Sequence, residues 1–93
     1  MSAPEQFARN LRRLRKKRDL TQGELGDLAG MHRTEISMLE RAGREPRLGT
    51  LIKLAAALEV PLAELFKGIE WQPPARTSSP TGRFRISSAR SRK

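Results

Sequence analysis

Within HRTEISMLER, residues 32–41, four side chains have the chemistry that pairs with the floor of a nucleic-acid groove. The planar fork of Arg33 matches guanine O6 and N7; it serves equally well as a phosphate clamp or a solvated surface charge. Thr34 and Ser37 donate or accept a hydrogen bond, and Thr34 also offers a methyl to thymine; either residue also suits an ordinary polar surface. The Met38 thioether suits a thymine methyl or partial packing into a core. His32, the single histidine, accepts a backbone N–H as a helix cap when neutral, or donates to a phosphate. Ten residues upstream, Gln22 can hold a phosphate without reading sequence, or stand as a neutral first-turn residue.

These side chains need two short helices to position them. Thr21 and Glu24 form a capping box, with Leu20 and Leu25 placed as a hydrophobic staple. This second helix points Leu25, Leu28 and Ala29 inward and ends at Gly30. A third helix starts at once, with His32 as cap, Glu35 three residues later, and Met31 and Ile36 in staple positions. Helices joined this tightly cross steeply, so the middle of the second must carry a small residue, which Gly26 supplies. Gly30 gives the turn its positive φ. Gly23 is either a tolerated weak helix former or a bare stretch of backbone that a phosphate can approach. At about 100° per residue, Ile36, Leu39 and Glu40 share the core side of the third helix. Ser37, Arg41, Thr34 and Met38 spread over the opposite arc, with Arg33 flanking it near the N-terminal tip.

Three further helices are predicted around this pair. The first starts at Ser2, boxed with Glu5, and buries Phe7, Leu11 and Leu14. Arg15 borders that stripe, and Arg18 snorkels over it. The third helix stops near Gly43. The fourth spans about 47–59, with Leu48, Leu51, Leu54, Ala55 and Leu58 on one face. Pro61 opens a short fifth helix containing Leu62, Leu65 and Phe66, which Gly68 closes. Trp71 either covers the end of the core or belongs to a dimer contact. The expected fold is all-α: a compact five-helix domain over 1–71, followed by a disordered basic tail over 72–93 that is rich in Pro, Ser and Arg.

Charge narrows the choice of partner. The chain of 93 residues carries a net charge of +9. Residues 1–71 hold 13 Lys/Arg against 10 Asp/Glu, while 72–93 hold six Lys/Arg and no acid. Such asymmetry favours a polyanion, nucleic acid before membrane, and the tail can add phosphate contacts. There is no Cys, hence no disulfide and no thiolate metal site. The longest apolar run, residues 54–58, is far too short to cross a bilayer. No cofactor is expected. With one His, no Tyr, no metal-ligand cluster and no phosphate loop of recognised spacing, an enzyme is a poor reading.

The linked features TQxEL, a small residue at 26, Gly30, ISxLE, a Pro-containing loop and LxKLAxALxVxLxELF resemble the phage-repressor/Cro-like helix-turn-helix family, also called the xenobiotic-response-element family, over about residues 5–66. The resemblance implies a DNA-binding domain, commonly dimeric, with the third helix in the major groove. It assigns Gln22 to a phosphate, His32, Arg33, Thr34, Ser37 and Met38 to bases or backbone, and Arg41 to a backbone contact. It makes Arg15 and Glu40 a structural ion pair. His32 departs from the Ser or Thr usual at that cap.

The resulting expectation is a cytoplasmic, nucleoid-associated transcriptional regulator of bacterial or phage type that binds double-stranded DNA as a homodimer. A palindromic site would present half-sites about 34–36 Å apart. The alternatives are an antitoxin-like or bridging module, with a protein partner on the tail, and a restriction–modification controller.

Overall fold

The structure is a computed structural model that describes residues 1–74 and 82–87. Four α-helices come first in chain order: α1 (Ala3–Lys17), α2 (Gln22–Ala29), α3 (Arg33–Glu40) and α4 (Leu48–Leu58). A 3-10 helix (Leu62–Phe66) and two strands, β1 (Ile69–Gln72) and β2 (Arg83–Ile86), complete it. The helix starts follow local chemistry. Ser2–Glu5, Thr21–Glu24 and His32–Glu35 all make reciprocal cap bonds, so each box satisfies N–H groups that a helix cannot satisfy itself. The bond from the Ser2 backbone N–H, and after it the Ser2 hydroxyl, holds the Glu5 carboxyl below its ordinary pKa.

Leu11, Leu25, Ile36, Leu54, Leu58 and Leu65 are completely buried and bring all four helices and the 3-10 turn into one core. Two expected core residues lie outside it. Leu28 is 57% exposed because two-turn α2 fills its inner arc with Leu25 and Ala29. Leu48 is 71% exposed because it is the first residue of α4, with no earlier turn to shelter it. Arg18 reaches past the α1 stripe and donates from Nη1 to the Ala57 carbonyl at 2.7 Å, closing an open carbonyl at the end of α4.

The expected fifth α-helix is instead the 3-10 turn. Pro61 precedes it and Gly68, at φ +83°, follows its C-cap Lys67, so only six residues lie between, five of them in the turn. The all-α expectation fails beyond that turn, where β1 and β2 pair antiparallel with Ile69 opposite Ile86 and Trp71 opposite Phe84. Residues 83–86, expected to belong to the disordered tail, alternate Arg, Phe, Arg, Ile and so build a ribbon with one polar and one apolar face. Residues 75–81 and 88–93 of that expected tail lie outside the described residues. Trp71 does not cap the core: it is 55% exposed and meets Phe84 edge-on, with ring centroids 5.3 Å apart. The α3 stop also differs, since Ala42 takes the left-handed φ of 58° and Gly43 only returns its N–H to the Met38 carbonyl at 2.8 Å.

Two contacts set the pose of α3. At its start, a Cβ on Gly26 would stand 2.5 Å from the Met31 carbonyl oxygen, closer than real atoms approach. At its end, Arg15 of α1 grips the Glu40 carboxylate with two parallel bonds, Nε to Oε2 at 2.6 Å and Nη2 to Oε1 at 2.9 Å. Arg15 also donates from Nη1 to the Leu20 carbonyl at 2.8 Å, which secures the α1–α2 turn. The Glu40 bond raises the guanidinium pKa above its ordinary value, with burial acting against it.

The glycines of α2 should therefore separate in a urea or thermal melt. Gly26→Leu is expected to cost about 1–3 kcal/mol or more by overpacking the crossing. Gly23→Ala, whose new Cβ meets nothing closer than 3.9 Å, is expected to stabilise by about 0.5–1 kcal/mol. Equal melts for the two variants would refute the packing account. Glu40→Ala leaves a cation whose side chain is only 10% exposed without its counter-charge, at an expected loss of about 3 kcal/mol in the same assay.

Candidate nucleic-acid interface

The α2–α3 turn is closed by its own backbone. Gly30 adopts φ +67°, and Met31 returns its N–H to the Gly26 carbonyl at 2.8 Å. This leaves only Gly30, Met31 and His32 between the two helices and brings the start of α3 out at the surface. His32 caps α3 through Nδ1, which accepts the Thr34 backbone N–H at 3.1 Å, while Glu35 Oε1 accepts the His32 N–H at 3.1 Å.

The faces of α3 fall as the periodicity predicts. Ile36 and Leu39 are buried, and the Glu40 carboxylate turns inward to Arg15. His32, Arg33, Thr34 and Arg41 are exposed, and Ser37 and Met38 are half-buried. The Met38 side chain is thus neither wholly core nor wholly surface, and its sulfur lies 3.9 Å from Arg44 Nη2. Arg41 is the C-cap of the helix and lines an open pocket together with Arg9 of α1.

Gln22 opens α2 with a commitment already made. Its Nε2 donates to Glu40 Oε1 at 3.2 Å, the same oxygen that receives Arg15 Nη2. A side-chain amide has two N–H groups, so one remains for an external acceptor, and the Glu40 contact restricts where it points.

The structure adds residues to which the sequence pattern gave no role. Arg44, Arg47 and Lys53 line an open groove of about 470 Å³ between the start of α3 and the start of α4. Among the described residues no side chain caps the α4 N-terminus, so its first N–H groups suit an outside acceptor. A signal was present in GREPRLGT, a turn with two arginines leading into a helix without Ser, Thr, Asp or Asn at its start. What hid it was that only tertiary packing sets the path of this turn, which leaves a groove between the starts of α3 and α4.

Comparison with known proteins extends this geometry. Residues 11–65 match the family model described as helix-turn-helix. The chain is 40% identical over 65 residues to control protein C.SmaI of Serratia marcescens, a match covering 70% of this chain and 77% of that protein. The restriction-modification controller protein C.AhdI from Aeromonas hydrophila superposes with a TM-score of 0.66 at 36% identity, covering 68% of this chain and 96% of that one. The P22 c2 repressor, crystallised with a synthetic operator, gives a TM-score of 0.62 at 34% identity over 67% of this chain and 94% of its own. The matched residues include α2, α3, α4 and the part of α1 that carries Arg15, and the β1–β2 ribbon lies beyond them. The chain belongs to the helix-turn-helix family.

Proposed function

We propose that this protein is a sequence-specific regulator of transcription that binds double-stranded DNA as a dimer on a palindromic operator, with α3 in the major groove. The observation that carries this reading is the division of α3. Its apolar side is locked into the core, and Arg33, Thr34, Ser37 and Met38 occupy the outer arc. Arg33 bonds guanine O6 and N7, Thr34 and Ser37 bond base edges, and Met38 meets a thymine methyl. Gln22, Arg41, Arg44, Arg47 and Lys53 hold phosphates on either side. One eight-residue helix reads only a few base pairs, so a twofold pair is needed for useful specificity.

A narrower reading has its own support. Similarity to C.SmaI and C.AhdI favours control of a restriction–modification system. That reading requires the operator to lie beside endonuclease genes.

Selecting bound fragments from randomised duplex DNA tests the proposal. It is expected to yield a twofold-symmetric motif with half-sites about 34–36 Å apart; no enriched motif would overturn it. In a titration on the selected operator, Arg33→Ala is expected to cost about 1–3 kcal/mol and relax the preference at one position per half-site. An equal loss on all sequences would make Arg33 a phosphate clamp instead. Removing residues 88–93, which carry Arg90, Arg92 and Lys93, is expected to flatten the log–log salt dependence by about 0.9 for each phosphate that those residues neutralise, with the motif intact. An unchanged slope would exclude those residues from the interface.

A further inference from the structure

We infer that His32 reads DNA with a fixed tautomer: Nδ1 is committed to capping α3, and Nε2–H is held out as a donor to an acceptor atom of the duplex. The inference rests on the DNA-binding reading above and assigns a polarity to one of its contacts. Nδ1 lies 3.1 Å from the Thr34 backbone N and accepts its hydrogen. A neutral imidazole has one N–H, so a ring that accepts at Nδ1 carries its proton on Nε2. The Glu35 carboxylate anchors the backbone of the same residue at 3.1 Å, which steadies the ring at the tip of α3. The ring is exposed, and among the described residues Nε2 has no hydrogen-bond partner.

This differs from what Ser or Thr would do at the same cap. A hydroxyl can turn its hydrogen to suit either kind of partner. The His32 ring can only give. It suits a phosphate oxygen, guanine O6 or N7, adenine N7 or thymine O4, and it rejects the amino groups of cytosine and adenine, which are themselves donors. Its ring also reaches further from the backbone than a serine hydroxyl, so the cap and the DNA contact can be separated by substitution.

Two measurements test this. Nitrogen-15 NMR of the free protein, at a pH where the ring is neutral, is expected to show His32 as a single Nε2–H tautomer. A mixture of tautomers or an Nδ1–H ring would overturn the inference. His32→Ser keeps a cap but draws the donor back toward the backbone, out of reach of the atom that the longer ring meets, so it is expected to melt like the parent and bind about three- to tenfold more weakly. A loss confined to the selected operator identifies a base acceptor, and an equal loss on an unrelated duplex identifies a phosphate oxygen. Unchanged binding to both overturns the inference while the regulator reading stands. Failure of that reading would show in the parent instead, as the absence of any enriched motif.

Discussion

The clearance between α2 and the turn that follows it governs everything the surface presents. At Gly26 there is no room for a single carbon, because the Met31 carbonyl occupies the place a Cβ would take. The Met31 N–H bonds to the Gly26 carbonyl across the same gap, so steric contact and hydrogen bond fix one geometry together. Eight-residue helices are marginal in water by themselves, and α2 and α3 owe their persistence to this packing. The Arg15–Glu40 pair then holds the far end of α3 against α1. Fixed at both ends and buried along one side, α3 has little freedom to rotate, and its outer arc is set before any ligand arrives.

How much of this was legible depends on how local the cause was. The three capping boxes could be read directly, because a cap is decided within four residues. The need for a small residue at 26 followed from the shortness of the linker. The faces of α3 followed from periodicity, since Ile36 and Leu39 leave only one side free. Leu28 and Leu48 were misread because apolar spacing names a stripe but not its width, and neighbours from other elements decide how far burial extends. The short turn after Pro61 kept its place but not its type. The ribbon was missed although both strands alternate: four residues each give little signal, and the pairing spans a long Pro- and Ser-rich gap. The groove formed by Arg44, Arg47 and Lys53 was illegible for the same reason, being a product of tertiary approach.

The charges are sorted as well as unequal. Glu5, Glu24 and Glu35 are tied to backbone N–H groups at helix starts, where the helix dipole favours them. Glu40 is enclosed by Arg15 and Gln22, and Glu59 and Glu70 lie beside Arg18 and Arg85. Structural duty therefore occupies many of the carboxylates. The exposed Arg12, Arg13, Lys16 and Lys17 have no such tie among the described residues, and with a net charge of +9 the field they contribute draws a polyanion from a distance. Under the proposed function, attraction and recognition fall to different side chains: a diffuse basic surface for encounter, and a short arc of α3 for discrimination.

A two-stranded ribbon has no interior strand, so β1 and β2 each have one edge without a ladder partner among the described residues. Such edges invite neighbouring molecules to add strands, and the exposed Trp71–Phe84 face would make the growing stack adhesive. Arg83 and Arg85 oppose this: in-register stacking of like strands would bring guanidinium against guanidinium at every second position. The ribbon's alternating arginines thus disfavour in-register addition of a like strand at the β2 edge.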